Sequence, residues 1–398
     1  MAVPTASARF RRSPYLVSYW KSGRFVVRNY LSGASVAVPV RALEALAYFD
    51  RWRSVGDFAA HADVPVSAAR RAVTNLARAT VLDREDGAPD ARQRAMAAWK
   101  DWNPAAGFFH TATRDVPFVD AVEGSRLLRR KARSTPVPAP VQCYPRSERV
   151  DLPRVAIKGE FPAVLLGRRT WRQFSTTPLD STRLATLVGL TNGVQHWARI
   201  PGQGHLPLKT SPSGGGRHPI ELYVCARRVS GLQSGLYHYR PDRHRLELVA
   251  PHARPVRVER YLPRQFWYGG AAALVFFTAV FERYQWKYDY ARAYRGVLVE
   301  AGHQCQTFCL VAEWLGLAPF CSMALADSRI EQDLGLDGIS EAVLYAAGVG
   351  LRPAGVTRAS KPAGFRPLET EPNRWLLSTP AGRLRSSRTH PRRRRQRA

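Results

Sequence analysis

Ser211-Pro-Ser-Gly-Gly-Gly-Arg-His-Pro-Ile-Glu-Leu-Tyr223 sets three consecutive glycines directly before a run in which Leu222, Val224 and Ala226 alternate. Consecutive glycines carry no Cβ, so the backbone can approach a flat ligand and turn its N–H groups toward electronegative atoms. The loop is not a phosphate-cradling Walker loop, because no Lys-Ser/Thr follows, nor the G-x-G-x-x-G that leads a strand into a helix. A glycine run can also be a plain flexible turn. The alternation that follows predicts a strand over 221–228.

Upstream lies Gly167-Arg-Arg-Thr-Trp-Arg-Gln-Phe174. Arg168, Arg169 and Arg172 with the Thr170 hydroxyl form a compact set of donors suited to a phosphate, since guanidinium forks give charge-assisted bonds to its oxygens. In a chain this rich in arginine the same stretch also reads as a solvated basic loop, and this motif alone leaves both readings open.

Around these motifs the spacing predicts a helix over 180–189, a hairpin from 235–240 and 245–249, and a buried strand over 273–281. A long helix follows over 291–315, closed by Gly316, and a last strand over 342–349. The expected fold class is α+β, a mixed sheet flanked by helices. Ahead of it, two short strands and three helical segments over 41–53, 54–62 and 67–79 lead to a wing, the pattern of a winged helix. Arg70, Arg71 and Arg78 on the third helix leave DNA binding as the less favoured reading and docking or dimerisation as the preferred one. The expected domains are 1–95 winged-helix-like, 96–160 a basic, Pro-rich connector, 161–352 the core, and 353–398 a basic disordered tail.

Composition sets wider bounds. Hydrophobic residues make up 45% and charged residues 23%, as in ordinary globular proteins, and the formal net charge is +29. The charge makes acidic peptide partners plausible, although arginine-rich composition alone can produce it. No apolar stretch reaches the roughly 20 residues of a membrane span, and the start lacks a secretory pattern, so a cytoplasmic location is expected. Five cysteines without a C-x-x-C pair predict neither disulfide nor metal site; Cys305 and Cys309, four apart, read as small packing residues. His110 lacks a nearby partner in sequence and reads as structural.

The two motifs in this order, about forty residues apart, resemble the flavin-binding elements of the nitroreductase superfamily. Within it the chain is similar to SagB-type azoline dehydrogenases, through residues 212–223 and 229–239, Tyr284-Gln-Trp-Lys-Tyr288, Glu300-Ala-Gly-His-Gln-Cys-Gln306 and, upstream, Phe109-His-Thr-Ala-Thr-Arg114. The resemblance implies FMN as cofactor and a homodimer. Arg168, Arg169, Thr170 and Arg172 would hold its phosphate and ribityl chain, and Pro212, Ser213, Gly214 and Gly216 would line its ring. It further implies Lys287 and Tyr288 as proton acceptors, a precursor peptide containing azolines as substrate and a cyclodehydratase as pathway partner; membrane and nucleic acid are not expected. Loop 322–324 and Arg358 are weaker carry-overs. Removing a proton from a ring carbon needs a positioned base, and a lysine serves only where its surroundings favour the neutral amine. Two other functions fit the same motifs: a NAD(P)H-driven flavin reductase of nitro, quinone or dehydroamino-acid groups, and a non-catalytic scaffold that docks peptide or DNA.

Overall fold

Strand 273–280 is apolar on both faces, and its alternation fixes how the core is layered. Ala273, Val275, Phe277 and Ala279 face one hydrophobic cluster, whereas Leu274 and Phe276 face a second. Because side chains alternate with period two, a strand buried on both sides must be covered by two layers. This computed structural model describes residues 4–40, 42–142 and 158–356. The basic tail, Arg358 and Cys143 lie outside the described residues.

The N-terminal unit contains β1 (Arg9–Arg12), β2 (Leu16–Lys21), β3 (Arg24–Asn29), β4 (Ser35–Ala37), α1 (Ala42–Tyr48), β5 (Arg53–Ser54), α2 (Val55–His61), α3 (Val66–Arg78) and β6 (Leu82–Arg84). The second and third helical segments stand close to where the spacing put them, whereas the first ends at Tyr48 and Arg53 begins β5. The wing differs: β6 pairs not with a following strand but with β1 from the chain start, which also pairs β5. Beyond the turn the chain enters a helix capped by Asp90, so no second local strand is available.

Next come α4 (Ala91–Ala97), α5 (Ala105–Ala112) and α6 (Ala121–Ser134). Here the expected connector over 96–160 needs correction. Met96, Trp99, Trp102 and Ala106 are buried in the main core cluster. The Trp99 indole N–H donates to Ile339 O at 3.1 Å and that of Trp102 to Tyr288 O at 2.9 Å. Buried indoles with satisfied N–H groups bind this segment to the core. Among the described residues of this stretch, α6 and the Pro-rich residues after it contribute no buried side chain.

The core is built from α7 (Glu160–Gly167), α8 (Ser181–Asn192), β7 (His196–Ile200), β8 (Gly204–Leu208), β9 (Ile220–Ala226), β10 (Gly235–Arg240), β11 (Arg245–Pro251), β12 (Ala273–Val280), α9 (Glu282–Gln285), α10 (Ala293–Trp314), β13 (Leu317–Ser322), α11 (Asp327–Leu334) and β14 (Glu341–Leu351). Six strands form one sheet in the order β11-β10-β9-β12-β14-β13. Its neighbouring strands all pair antiparallel, so the mixed sheet expected is antiparallel across the described residues. Asp180 caps α8 by accepting from Arg183 N at 2.8 Å. Gly316, at φ +67°, ends α10 in the left-handed conformation that a side chain would resist. No helix among the described residues is long and apolar enough to cross a membrane.

Arg114 closes the junction between α5 and the core. Its guanidinium pairs with Glu331 and donates to Gly338 O at 3.0 Å, while Glu331 also accepts from Val343 N at 3.2 Å. Burial, only partly offset by Arg114, pushes the Glu331 carboxyl up to about 7. Arg114→Ala is expected to cost about 3 kcal/mol, the low end for breaking a buried pair, because Glu331 can take up a proton instead of remaining charged. An unchanged urea midpoint at pH 8 would show that the pair contributes nothing.

Candidate functional site

The glycine loop is a short 3-10 turn held at both ends. The Ser211 hydroxyl lies 2.8 Å from that of Thr307 on α10, and Ser213 Oγ accepts from His218 N at 2.8 Å. Gly215 sits at φ +60° and Gly216 at φ +67°. A Cβ on Gly215 would lie 2.6 Å from both Lys287 Nζ and Tyr288 OH, and one on Gly214 would overlap the Tyr284 hydroxyl. The glycines therefore open a floor on which Lys287 and Tyr288 converge, although they lie about seventy residues away in sequence.

Those two residues follow α9, a single turn whose Tyr284 is buried. Lys287 Nζ donates to Gln203 Oε1 at 3.3 Å, from the turn joining β7 to β8, and lies 5.8 Å from the Tyr288 ring centre. The main chain of Tyr288 is fixed through its carbonyl by Trp102. Lys287 itself is exposed. The described residues thus do not supply the desolvation that the base chemistry calls for.

Behind the loop lies a polar layer that the sequence did not single out by role. His218, Glu300 and Gln304 are buried, yet both Glu300 oxygens, both Gln304 polar atoms and His218 Nδ1 lack hydrogen bonds. His218 Nδ1 stands 3.7 Å from Glu300 Oε1. That is too long for a hydrogen bond, and burial, with Lys209 and Arg283 nearby, pulls the imidazole down to about 4, so at neutral pH the contact is no ion pair. Lys209 donates to Asn192 Oδ1 at 2.6 Å, and burial lowers its ammonium to about 8. Glu221 accepts from His238 at 2.8 Å and pairs with Arg283; burial would raise its carboxyl, but these partners hold it below its ordinary value.

Burial raises Glu300 to about 7, against the pull of Ser213 and Lys209. The folded chain then binds more protons here than the unfolded chain between about 4.5 and 7, so this group's contribution falls as pH rises through that window. His218 imposes the opposite slope between about 4 and 6.5, which is why a comparison with a variant is needed. Glu300→Gln is expected to match the parent near pH 5 and to exceed it by about 2–3 kcal/mol at pH 8. Urea midpoints at the two pH values that differ by the same amount would contradict this.

The arginine segment occupies another place. Arg168 ends α7, and Trp171 is buried, with its main-chain N–H donating to Pro319 O at 2.9 Å on β13. Arg352 lies 5.1 Å from the Trp171 ring centre and pairs with Glu313 at 2.9 Å. The Arg169 guanidinium donates to Leu166 O and Arg168 O at 2.8 and 2.7 Å, capping its own helix. The side chains of Arg168, Thr170 and Arg172 form no hydrogen bond or ion pair among the described residues. Three unpaired donors on a rigid segment fit an anionic phosphate. Loop 322–324 lies at the end of the same strand, pinned by Gln265, which accepts from Ser322 Oγ at 2.7 Å and donates to Ala324 O at 2.8 Å.

Lys287, Tyr288 and the glycine loop are therefore brought together, and no hydrogen bond or ion pair among the described residues joins the arginine segment to them. The loop region meets α10 from Gly296, through Tyr284, to Thr307, through Ser211, and the arginine segment meets it at Glu313, roughly 9 Å beyond Thr307 along the helix. His110 is structural as expected, buried between Tyr294 OH at 2.9 Å and Gly338 O at 2.8 Å. Cys305 and Cys309 are buried as expected, but Cys321 on β13 joins them, which spacing along the helix could not reveal.

Residues 165–351 match the model of the nitroreductase family. A putative nitroreductase of Methanocaldococcus jannaschii is 29% identical over 43% of the chain and 82% of its own length. The trifolitoxin-processing protein TfxB of Rhizobium leguminosarum is 32% identical over 35% of the chain, and the microcin B17-processing protein McbC of Escherichia coli 33% identical over 32%. The chain spans only 38% and 48% of the length of these last two. Among solved structures, a chain of the E. coli microcin synthetase McbBCD complex with truncated pro-MccB17 superposes with a TM-score of 0.45 at 23% identity, over 65% of this chain and 94% of that one. The chain therefore carries a nitroreductase-family domain over residues 165–351, and within that superfamily it resembles the SagB-type dehydrogenases.

Proposed function

We propose that this protein is an FMN-dependent dehydrogenase that oxidises azoline rings in a ribosomally made peptide to azoles. The observation that carries the reading is the convergence of Lys287 Nζ and Tyr288 OH over Gly215, at a point that a side chain on the loop would fill. Arg168, Thr170 and Arg172, with Arg169 at the helix end, would hold the phosphate and ribityl chain. Pro212, Ser213, Gly214 and Gly216 would line the ring, with backbone contacts at Gly216 in place of a side chain. FMN, when bound, supplies the acceptor for the hydride that leaves the ring.

The chain's own residues handle the proton. Lys287 accepts it from the ring carbon, and Tyr288 shares it or steadies the developing charge. Because Lys287 is exposed among the described residues, it needs a cover before it can act, a place the bound peptide or a second copy would fill. The resemblance to the dimeric flavin enzymes of this superfamily carries with it a homodimer in which two chains complete each site. The names of TfxB and McbC, which process trifolitoxin and microcin B17, support a processing role on a peptide, and the resemblance to the SagB-type dehydrogenases adds a cyclodehydratase that forms the rings.

The test is to offer the purified protein an azoline peptide and to follow flavin bleaching and product mass without oxygen. Bleaching with a two-hydrogen loss per ring is expected. Bleaching by NAD(P)H but not by the peptide would reassign the protein as a reductase, and a colourless protein that takes up no FMN would make it a scaffold.

A further inference from the structure

Cys305 and Cys309 stand one turn apart on α10, and β13, packed against that helix, brings Cys321 to the same point. All three sulfurs lie within 4.8 Å of one another. We propose that these thiols form a three-sulfur site for a soft, closed-shell metal ion, Cu(I) or Zn(II).

Geometry and donor chemistry carry the assignment. A metal about 2.3 Å from each sulfur in a trigonal plane needs sulfurs about 4 Å apart. The cluster meets that with small side-chain adjustments. Its donors are all thiol sulfur, with no imidazole or carboxylate in the group, and soft sulfur sets select Cu(I) and Zn(II) over harder cations. Three donors suit three-coordinate Cu(I), whereas Zn(II) would add a solvent molecule in the open position.

The surroundings distinguish this group from thiols that merely pack. Cys225 is the packing case: it is fully buried on the other face of the sheet, among apolar side chains. In the cluster, Cys305 and Cys309 are buried but Cys321 is half-buried, giving an ion a way in. Tyr345 OH donates to Cys321 Sγ at 3.4 Å, the outer hydrogen bond by which metal ligands are commonly oriented. The two helix cysteines are set by the period of α10, and the third arrives only through the β13 register, where Cys321 lies opposite Ala347.

The experiment uses the full-length, flavin-loaded protein, reduced under anaerobic conditions. It is titrated with Cu(I) against a competing chelator and, separately, with Zn(II), and the retained metal is counted by native mass spectrometry. One equivalent is expected in at least one arm, and the arm that holds it identifies the ion. Cys321→Ser and Cys305→Ser should each weaken retention by more than about 100-fold, beyond the roughly 10–100-fold that an outer partner commands, with Tyr345→Phe falling in that smaller range. Cys225→Ser should leave retention unchanged. No equivalent retained with either metal would overturn the site. Retention undiminished in Cys321→Ser, whose half-buried position makes it the mildest change to the fold, would overturn it as well. Flavin absorbance is read on the same samples, so a failure of the cofactor assignment is seen independently of the metal count.

Discussion

Lys287→Ala is expected to abolish ring oxidation while the protein remains yellow. The expected loss is about 100- to 10,000-fold in the rate of the two-hydrogen mass change, the range a positioned general base supplies. Flavin should stay because Lys287 touches Gln203 and the space above Gly215, and no contact joins it to the arginine segment among the described residues. Lys287→Arg sharpens the test. Arginine keeps the positive charge but cannot act as a base in a protein, so it should be as inactive as alanine. An active arginine variant would show that Lys287 only steadies charge, and full activity in the alanine variant would remove the residue from the reaction altogether.

Much of the core was legible because its signals are local. The run of β12, apolar but for Thr278, the alternation in β9 and the helical period of α10 each declare an element within their own span. The same holds for Gly316, whose position after α10 requires the left-handed conformation it adopts. What was not legible arises from distant partners. Trp99 and Trp102 looked like part of a connector because their acceptors, Ile339 O and Tyr288 O, lie far along the chain. The partner of β6 is likewise at the chain start, so the wing could not be drawn from the residues after it. Cys321 joins the helix cysteines through strand packing, and the polar layer of Lys209, His218 and Glu300 forms only once the glycine loop lies on α10.

The arginine segment shows the same division within eight residues. Composition announced a cluster of donors, but composition cannot say which guanidinium its own helix will use. Arg169 is spent on the carbonyls that α7 leaves open at its end, an outcome set by where the helix stops. Arg168 and Arg172 remain without partners among the described residues, so the phosphate reading now rests chiefly on them.

Replacing both Arg168 and Arg172 with alanine is therefore expected to strip the flavin. Each charge-assisted hydrogen bond to a phosphate contributes about 1.5–3 kcal/mol, so losing both should weaken FMN binding by roughly 100-fold to 10,000-fold. Arg169→Ala should weaken retention less than either, because that side chain must leave its helix carbonyls before it can reach a ligand. The fold should survive: Trp171, not the arginines, holds the segment to β13 through its main-chain N–H and the Arg352 stack. Dialysis followed by flavin absorbance gives the readout, with far-ultraviolet circular dichroism to show that the chain is folded. A folded double variant that keeps its full flavin content would mean that the phosphate is held elsewhere, and the arginine segment would revert to a solvated basic loop.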